Sequence, residues 1–268
     1  MNKLKIEDIH NILISPDSGK KVNFHDDSLT DGTNIYPIIN GNPILLPTCI
    51  QKYYKKGNLD IPFSKKDKAY LQYYLISQIK AYSGNPNSDQ QDIWYKKHIN
   101  WSKDLLRQAK GMLLDIGCDD VRVSTSMMPD NVKYVGLDPL SYRGHGLKIV
   151  GMGEALPFLN NSFDNVLFLT SLDHVFDYHT ALEEAKRVLI SKGKIFISTL
   201  VWYENADLFA DTVHFHHFRE YEILEAILSL GFKIEEKKYY PWKDNAHRKV
   251  LQLIASKQLL TILNTLPV

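Results

Sequence analysis

Leu113-Leu114-Asp115-Ile116-Gly117-Cys118-Asp119-Asp120 is the stretch of sequence that decides the fold. An apolar run from Met112 to Ile116 contains one acid and breaks at Gly117. This pattern is typical of a buried parallel strand that enters a tight turn and then a helix. A second apolar run, Tyr134 to Leu137, ends at Asp138. A strand, a glycine turn, a helix and a strand-ending acid about 20 residues later indicate the nucleoside-binding half of a Rossmann-like sheet.

The glycine turn indicates which nucleoside the sheet binds. A dinucleotide site has Gly-x-Gly-x-x-Gly, which lets backbone N–H groups reach a pyrophosphate. Those three places hold Gly117, Asp119 and Arg122 in this chain. Carboxylates at Asp119 and Asp120 would repel a pyrophosphate but suit a cation. S-adenosylmethionine carries a sulfonium and an ammonium and no phosphate, so the charge pattern favours it over NAD.

Four motifs in order resemble those of one enzyme family. Leu113 to Asp120 and Tyr134 to Leu140 resemble the first two motifs of class I S-adenosylmethionine-dependent methyltransferases, of the methyltransferase type 11 kind. Gly153 to Phe158 and Ser162 to Val166 resemble the third and fourth. The resemblance covers roughly residues 110 to 256 and implies a seven-stranded, mostly parallel sheet with an antiparallel last strand.

The chain departs from the family pattern at two places. Asp119 replaces the usual second glycine of the first turn, and Met152 stands where an acid commonly holds the adenine amino group. Because Asp is among the residues that tolerate a left-handed backbone, we expect a reshaped but working site. The alternative is a catalytically silent domain that uses the fold to bind a partner.

Composition excludes several classes of protein. The 268 residues contain 32 Lys and Arg against 31 acids, so bulk charge gives no reason to expect a nucleic-acid partner. Two cysteines, Cys49 and Cys118, are too few for a disulfide framework. No apolar run has the length of a signal peptide core or a membrane span. We therefore expect a cytoplasmic protein, whose oligomeric state the sequence leaves open.

The sequence divides into four segments. Residues 1–50 form a small β appendage, 51–110 a helical connector or lid, 111–258 the methyltransferase domain, and 259–268 a tail. In the appendage, turns are predicted at Ser15 to Gly19 and Asp31-Gly32, and two strands flank Asn40-Gly41.

The appendage resembles a small zinc ribbon, found as a tRNA-methyltransferase activator and fused to some bacterial methyltransferases. Its metal-binding members begin Cys-Pro-x-Cys, but Ser15 and Ser18 occupy those cysteine places here. Cys49 alone cannot hold a tetrahedral zinc ion. We expect a β appendage without metal, which either packs against the main domain or contacts a substrate or partner.

The connector predicts two amphipathic helices. Lys65 to Tyr82 has apolar residues at helical spacing, and Ile93 to Leu105 leads into the first strand. In the class I family a helix here commonly lies over the cofactor. Tyr95, His98 and Trp101 then either line that lid or belong to an ordinary core.

Regular α/β alternation follows from Gly111. Strands are predicted at 112–116, 133–137, 147–150, 164–169, 193–200, 232–239 and 248–255. One helix is predicted from Tyr178 to Leu189, ending at a Gly193 cap, and another from Arg219 to Leu230, ending at Gly231. The last two strands are predicted to form an antiparallel hairpin at the sheet edge.

The resemblance places the cofactor residues at three turns. Asp115 and Gly117 are expected near the methionyl end, Asp138 at the ribose, and the turn after the third strand at the adenine. Glu154 has the alternative of capping Leu156-Pro157 locally. The predicted cofactor-binding residues are Asp115, Gly117, Cys118, Asp138, Pro139, Met152, Gly153, Glu154 and Thr170.

The acceptor is expected beyond the fourth strand, since open α/β sheets place chemistry at the carboxyl ends of central strands. Asp173 next to His174 offers a base and its orienter, with the alternative that Asp173 caps a helix and His174 packs behind it. If the segment 214–217 is extended, His214 and His216 share one side and His217 lies on the other. The candidate catalytic residues are His174, Asp173 and His214.

A metal bound by these histidines with Asp211 is conceivable. The resemblance implies none, however, because His-rich segments opening this helix recur in the family without metal. The histidines then belong either to the substrate pocket or to the structural framework. With Thr170, Ser171, Tyr95 and Trp101 they would form a polar pocket with aromatic faces. That lining favours O- or N-methylation of a small polar molecule or glycan intermediate.

Overall fold

The computed structural model describes residues 4–51, 54–55, 58–59, 93–119, 121–139, 147–208, 214–242 and 246–258. The predicted helix from Lys65 to Tyr82, the side chain of Tyr95, the residue Asp211 and the tail 259–268 lie outside these residues. Among the described helices, none combines the length and the apolar character that crossing a bilayer requires.

The N-terminal segment contains a four-stranded antiparallel sheet, in the order β1-β2-β3-β4. Its strands are β1 (Asn23–His25), β2 (Ser28–Thr30), β3 (Ile35–Ile39) and β4 (Asn42–Pro43). Asn40 and Gly41, both with positive φ, join the last two strands, which confirms the turn predicted there. The short helices α1 (Ile6–Ile9) and α2 (Thr48–Gln51) flank this sheet, and β5 (Tyr54–Lys55) pairs with β6 (Asn58–Leu59).

A seven-stranded sheet carries the rest of the described chain, in the order β12-β13-β11-β10-β7-β8-β9. Its strands are β7 (Gly111–Ile116), β8 (Val132–Asp138), β9 (Lys148–Val150), β10 (Phe163–Leu169), β11 (Leu189–Trp202), β12 (Phe232–Pro241) and β13 (Arg248–Lys257). The strands from β9 to β11 are parallel, and β13 pairs antiparallel with both β11 and β12. The predicted Rossmann-like sheet with its antiparallel hairpin is therefore confirmed.

Helices cover both faces of this sheet. They are α3 (Ile93–Leu106), α4 (Val121–Met127), α5 (Tyr178–Val188) and α6 (Glu220–Ser229). Neighbouring residues of β7 point to opposite faces, since Leu113 packs in a cluster with Leu106 of α3, and Leu114 packs in one with Leu182 of α5. The central strands β7, β8 and β10 thus lie between two apolar layers, which explains their nearly continuous apolar runs, whereas the edge strand β12 alternates with exposed residues.

The helix α5 ends differently from the prediction. It stops at Val188, and the chain enters β11 at Leu189 without a glycine cap. Lys192, with φ of 63°, takes the left-handed conformation expected of Gly193. The pairing of β10 with β11 shifts register across this stretch, from Phe163–Leu189 to Asn165–Lys194. The turn predicted as a helix C-cap is therefore an irregularity within the pairing of β10 and β11.

The N-terminal segment packs against the outer strand of the large sheet. The Leu45 N–H donates to the Val150 carbonyl at 2.8 Å, and the Ile14 N–H donates to the Pro157 carbonyl at 3.0 Å. Ile9 and Leu13 are fully buried in the same apolar cluster as the sheet and α5. These contacts support the predicted packing role of the appendage.

Candidate functional site

The turn after β7 is packed too closely for a side chain at its glycine. Gly117 has φ of +80°, and a Cβ there would lie 2.4 Å from the Cβ of Ser171. The N–H groups of Gly117 and Cys118 both donate to the Leu137 carbonyl, at 2.8 and 3.2 Å. The turn is therefore fixed against the end of β8 on one side and the segment after β10 on the other.

Asp119 takes the conformation that a glycine would supply. Its φ is +39°, which confirms that aspartate tolerates the left-handed backbone at this place. The Asp119 N–H donates to Oδ2 of Asp138 at 2.9 Å. The carboxylate of Asp138, predicted to hold the ribose, is thereby oriented by the atypical residue of the turn.

Asp115 lies beneath the turn and is fully buried. The Tyr134 hydroxyl donates to Oδ2 of Asp115 at 2.7 Å. Burial raises the pKa of Asp115 to about 6, against the opposing effect of the hydrogen bonds from Tyr134 and Ser124. The carboxylate faces these side chains, and its predicted contact with the methionyl end stays a prediction. Burial also raises the pKa of the Cys118 thiol.

Lys148 contacts the turn after β7, although the sequence did not indicate it as a candidate. It belongs to β9, is only 2% exposed, and its Nζ donates to the carbonyl oxygen of Asp119. The detectable signal was a charged residue inside the short apolar strand 147–150, where burial is expected on both faces.

The carboxylate of the turn after β9, that of Glu154, binds backbone groups of the protein itself. Oε1 of Glu154 accepts hydrogen bonds from the N–H groups of Phe176 and Asp177, at 2.7 and 3.2 Å. This favours the local role for Glu154, although the group capped is the start of α5 and not Leu156-Pro157. Met152 and Ala155 form an isolated antiparallel β-bridge across this turn. Adenine contacts from Met152, Gly153, Glu154 and Pro139 stay predictions.

A strained residue follows β10 directly. Thr170 has φ of +53°, which is costly for a β-branched side chain, and its N–H donates to the Ser198 carbonyl at 2.7 Å. Such strain concentrates at functional sites. Ser171 follows, and its Oγ donates to the Ile116 carbonyl at 2.5 Å. The two turns at the carboxyl ends of β7 and β10 are therefore in direct contact.

The three candidate catalytic residues come together beyond this contact. Oδ1 of Asp173 lies 4.0 Å from Nε2 of His174, and Oδ2 lies 3.9 Å from Nε2 of His214. The two imidazole rings are 4.5 Å apart between centroids. Asp173 is 4% exposed, and within the described residues its Oδ1 has no hydrogen-bond donor. The cluster thus brings a buried carboxylate close to two imidazole rings.

The His-rich segment does not keep two histidines on one side. The chain bends at Phe215, and the N–H groups of Phe215 and His216 donate to the Asp173 carbonyl at 2.9 and 3.1 Å. His216 turns its Nε2 to the Val175 carbonyl at 3.0 Å, whereas His217 packs 5.8 Å from the Trp202 ring. The segment is therefore not extended, and the alternation expected of His214, His216 and His217 in an extended segment does not apply.

The cluster of Asp173, His174 and His214 also has the donor types of a metal site. Its ligand atoms lie within 4.8 Å of one another. Donors around a tetrahedral zinc at about 2.0–2.1 Å would be about 3.3 Å apart. The separations from Asp173 to His174 and His214, 4.0 and 3.9 Å, are wider than this value.

The helix α3 turns its aromatic side chain away from this centre. Trp101 stacks on Tyr240 of β12, with ring centroids 4.5 Å apart. His98 is buried, which lowers its pKa. In a sheet ordered β12-β13-β11-β10-β7-β8-β9, Tyr240 lies four strands from β7, so the described contacts favour the core interpretation of Trp101.

Oxygen atoms occupy the place where the appendage would hold zinc. Ser15 Oγ and the Tyr36 hydroxyl share a hydrogen bond of 2.6 Å, and the Tyr36 hydroxyl also donates to Asp17 at 2.7 Å. Ser18 Oγ donates to Asp31 at 2.6 Å. These hydroxyl groups are engaged with one another and with carboxylates, and a zinc-ribbon identity for this segment is not shown.

Residues 114–197 match the family model described as a methyltransferase domain. The chain carries an S-adenosylmethionine-dependent methyltransferase domain. The match spans the turn after β7, the strained Thr170 and the Asp173–His174 pair. S-adenosylmethionine is its cofactor.

Curated relatives of this methyltransferase domain are distant. The demethylmenaquinone methyltransferase of Geobacillus stearothermophilus is 28% identical over 198 residues, which cover 65% of this chain and 80% of that protein. The demethylmenaquinone methyltransferase of Anoxybacillus flavithermus is 30% identical over 123 residues, covering 38% of this chain and 52% of that protein. The chain thus spans only about half of the second relative.

Solved structures share the fold. The 1,6-didemethyltoxoflavin-N1-methyltransferase of Burkholderia thailandensis has a TM-score of 0.55 at 15% identity, covering 89% of this chain and 99% of that one. The [4+2]-cyclase SpnF has the same TM-score at 16% identity, covering 74% of this chain and 98% of that one. At these identities the likeness concerns the fold alone.

Proposed function

We propose that the chain transfers the methyl group of S-adenosylmethionine to an oxygen or nitrogen of a small polar molecule or glycan intermediate. In this proposal Asp138 holds the ribose, the Gly117–Asp119 turn carries the methionyl end, and the acceptor lies over the Asp173–His174–His214 cluster. The observation that carries it is the direct contact between Gly117 and Ser171. This contact supports the proposal because it brings the turn after β7 close to the segment that leads into Asp173 and His174.

Methyl transfer is an in-line displacement at a sulfonium, so the protein mainly holds two reactants at near-attack distance. A hydroxyl or amine acceptor also loses a proton, and a base there is worth about 10²–10⁴-fold. His174 is the proposed base. Asp173 orients the ring and stabilises the imidazolium that forms, while His214, 3.9 Å from the same carboxylate, lines the acceptor side.

The test separates binding from turnover. In the variants His174→Asn and His214→Asn, calorimetry with S-adenosylmethionine and S-adenosylhomocysteine should give unchanged affinities. Methyl transfer from labelled cofactor into fractionated extracts of the source cells should fall by about 100-fold for His174→Asn. His179→Asn, on α5, is the matched control and should keep full activity.

Three results would count against parts of this proposal. Equal turnover in His174→Asn would sink the base assignment, though not methyl transfer itself. Label in tRNA or rRNA, and none in small polar or saccharide fractions, would overturn the acceptor class. Affinity for S-adenosylmethionine without transfer to any fraction would support the silent binding domain.

A quinone-type ring is the second candidate acceptor. The named relatives are demethylmenaquinone methyltransferases, and one of them aligns over 80% of its length. Beside the cluster, the rings of Phe176 and Phe215 lie 6.2 Å apart, and Phe176 is 41% exposed. This apolar rim suits a planar ring. Label incorporated into supplied demethylmenaquinone, with none in the polar fractions, would decide for this candidate.

A further inference from the structure

Lys148 lies in a row with two residues of the cofactor half of the sheet. Lys148 pairs with Gly136, and Gly136 pairs with Asp115, so the three residues occupy one line across β9, β8 and β7. Residues in register on parallel strands face the same side of the sheet. Gly136 has no side chain, and Sγ of Cys118, from the turn after β7, lies 2.8 Å from where a Cβ would stand. The turn therefore comes close to this row of residues, within reach of Lys148.

The lysine reaches the residue that breaks the family pattern. Its Nζ donates to the carbonyl of Asp119, while the N–H of Asp119 donates to Asp138 at 2.9 Å. One peptide segment is therefore held at both ends, by a lysine from β9 and by the predicted ribose ligand at the end of β8.

Two energetic costs offset each other in this arrangement. A non-glycine residue is strained in the left-handed region, and Asp119 has φ of +39°. A buried ammonium is costly unless it finds partners. Lys148 obtains the Asp119 carbonyl and the nearby charge of Asp115, whose pKa it lowers against the larger effect of burial. The hydrogen bond from Lys148 in turn fixes the strained residue, Asp119.

We propose that Lys148 is a positioning residue for the cofactor, which holds the Asp119 turn in the conformation that orients Asp138. Its hydrogen bond to Asp119 stabilises the left-handed conformation that the usual glycine adopts without support. The inference rests on S-adenosylmethionine binding at this turn. Asp119 in place of the usual glycine and the buried Lys148 are then two parts of one adaptation.

A thermodynamic cycle tests the inference. Lys148→Met, Asp119→Gly and the double variant are titrated by calorimetry with S-adenosylmethionine and S-adenosylhomocysteine. With Asp119 present, Lys148→Met should weaken both ligands by at least about tenfold, within the range for coupled neighbours. In the Asp119→Gly background, the same change should cost less than about threefold, because glycine keeps the left-handed turn without support. Asp119→Gly alone should bring no large gain in affinity.

Several outcomes overturn the inference. They are an equal loss in both backgrounds, no loss at all, or a loss for the cationic S-adenosylmethionine that the neutral S-adenosylhomocysteine does not share. Lys194→Met is the matched control, since Lys194 on β11 donates to Gln108 at 2.8 Å, away from the turn. It should leave both affinities unchanged.

Circular dichroism and thermal melts report whether each variant is folded. If Lys148→Met does not fold, Lys148→Gln takes its place in the cycle. A parent protein that binds neither ligand would refute the cofactor assignment, whereas normal binding by the parent without coupling would refute the role of Lys148 alone.

Discussion

Replacing Asp115 by asparagine should stabilise the protein, and the gain should depend on pH. Asp115 is fully buried, and burial raises its pKa from 3.8 to about 6. The folded protein therefore binds a proton at higher pH than the unfolded chain. As a consequence, the unfolding free energy of the parent falls as pH rises from about 4 to about 6. The asparagine variant carries no such charge and should not show this fall.

The size of the effect follows from the same values. A pKa raised from 3.8 to about 6 corresponds to about 3 kcal/mol of unfolding free energy above pH 6. Asparagine keeps an oxygen that can accept the hydrogen bond from the Tyr134 hydroxyl, so this bond should persist. The two proteins should be equally stable near pH 4 and differ by about 3 kcal/mol at pH 8.

Urea unfolding followed by tryptophan fluorescence and circular dichroism, from pH 4 to pH 8, measures this difference. The control is Asp104→Asn, because the exposed Asp104 carboxylate has a lowered pKa through its hydrogen bond with Lys238. That variant should be less stable than the parent at neutral pH and match it at acid pH. A pH-independent gain for Asp115→Asn, or a loss at pH 8, would refute the reasoning.

Two further substitutions probe the turn and the appendage. Gly117→Ala should abolish cofactor binding and lower the melting temperature, because its Cβ would lie 2.4 Å from the Ser171 Cβ at φ of +80°. Adding Ser171→Gly should relieve the steric clash but not the backbone strain at the positive φ. Normal cofactor binding by Gly117→Ala would contradict the turn geometry. Tyr36→Phe should cost about 1–3 kcal/mol in urea unfolding, since Tyr36 is fully buried and its hydroxyl bonds Ser15 and Asp17. A smaller loss would mean that these oxygens find other partners.

The strands were predictable because strands buried on both faces of a parallel sheet have continuous apolar runs in the sequence. β7 begins one residue before its predicted start and ends at Ile116, and β10 begins at Phe163 and ends at Leu169. The predicted stop of α6 at Gly231 agrees with a positive φ of 75° at that glycine. These features depend on local chemistry alone.

Features that depend on register across the sheet could not be predicted. Lys148 meets Asp119 only because β9 aligns it with Gly136, a pairing that no local pattern contains. The same holds for His214, which meets Asp173 because the segment bends at Phe215 instead of alternating. The end of α5 was missed because the register shift, and not Gly193, makes the turn.

The docking of the appendage has a consequence for truncated forms of the protein. β9 is only three residues long and would be the outer strand of the large sheet without Ile44 and Leu45 beside Val150. Deleting residues 1–50 would leave that outer strand with unpaired backbone groups and would uncover the apolar surface that Ile9 and Leu13 now bury. Exposed strands of this kind recruit strands from other molecules. A methyltransferase domain prepared without its appendage should therefore aggregate edge to edge.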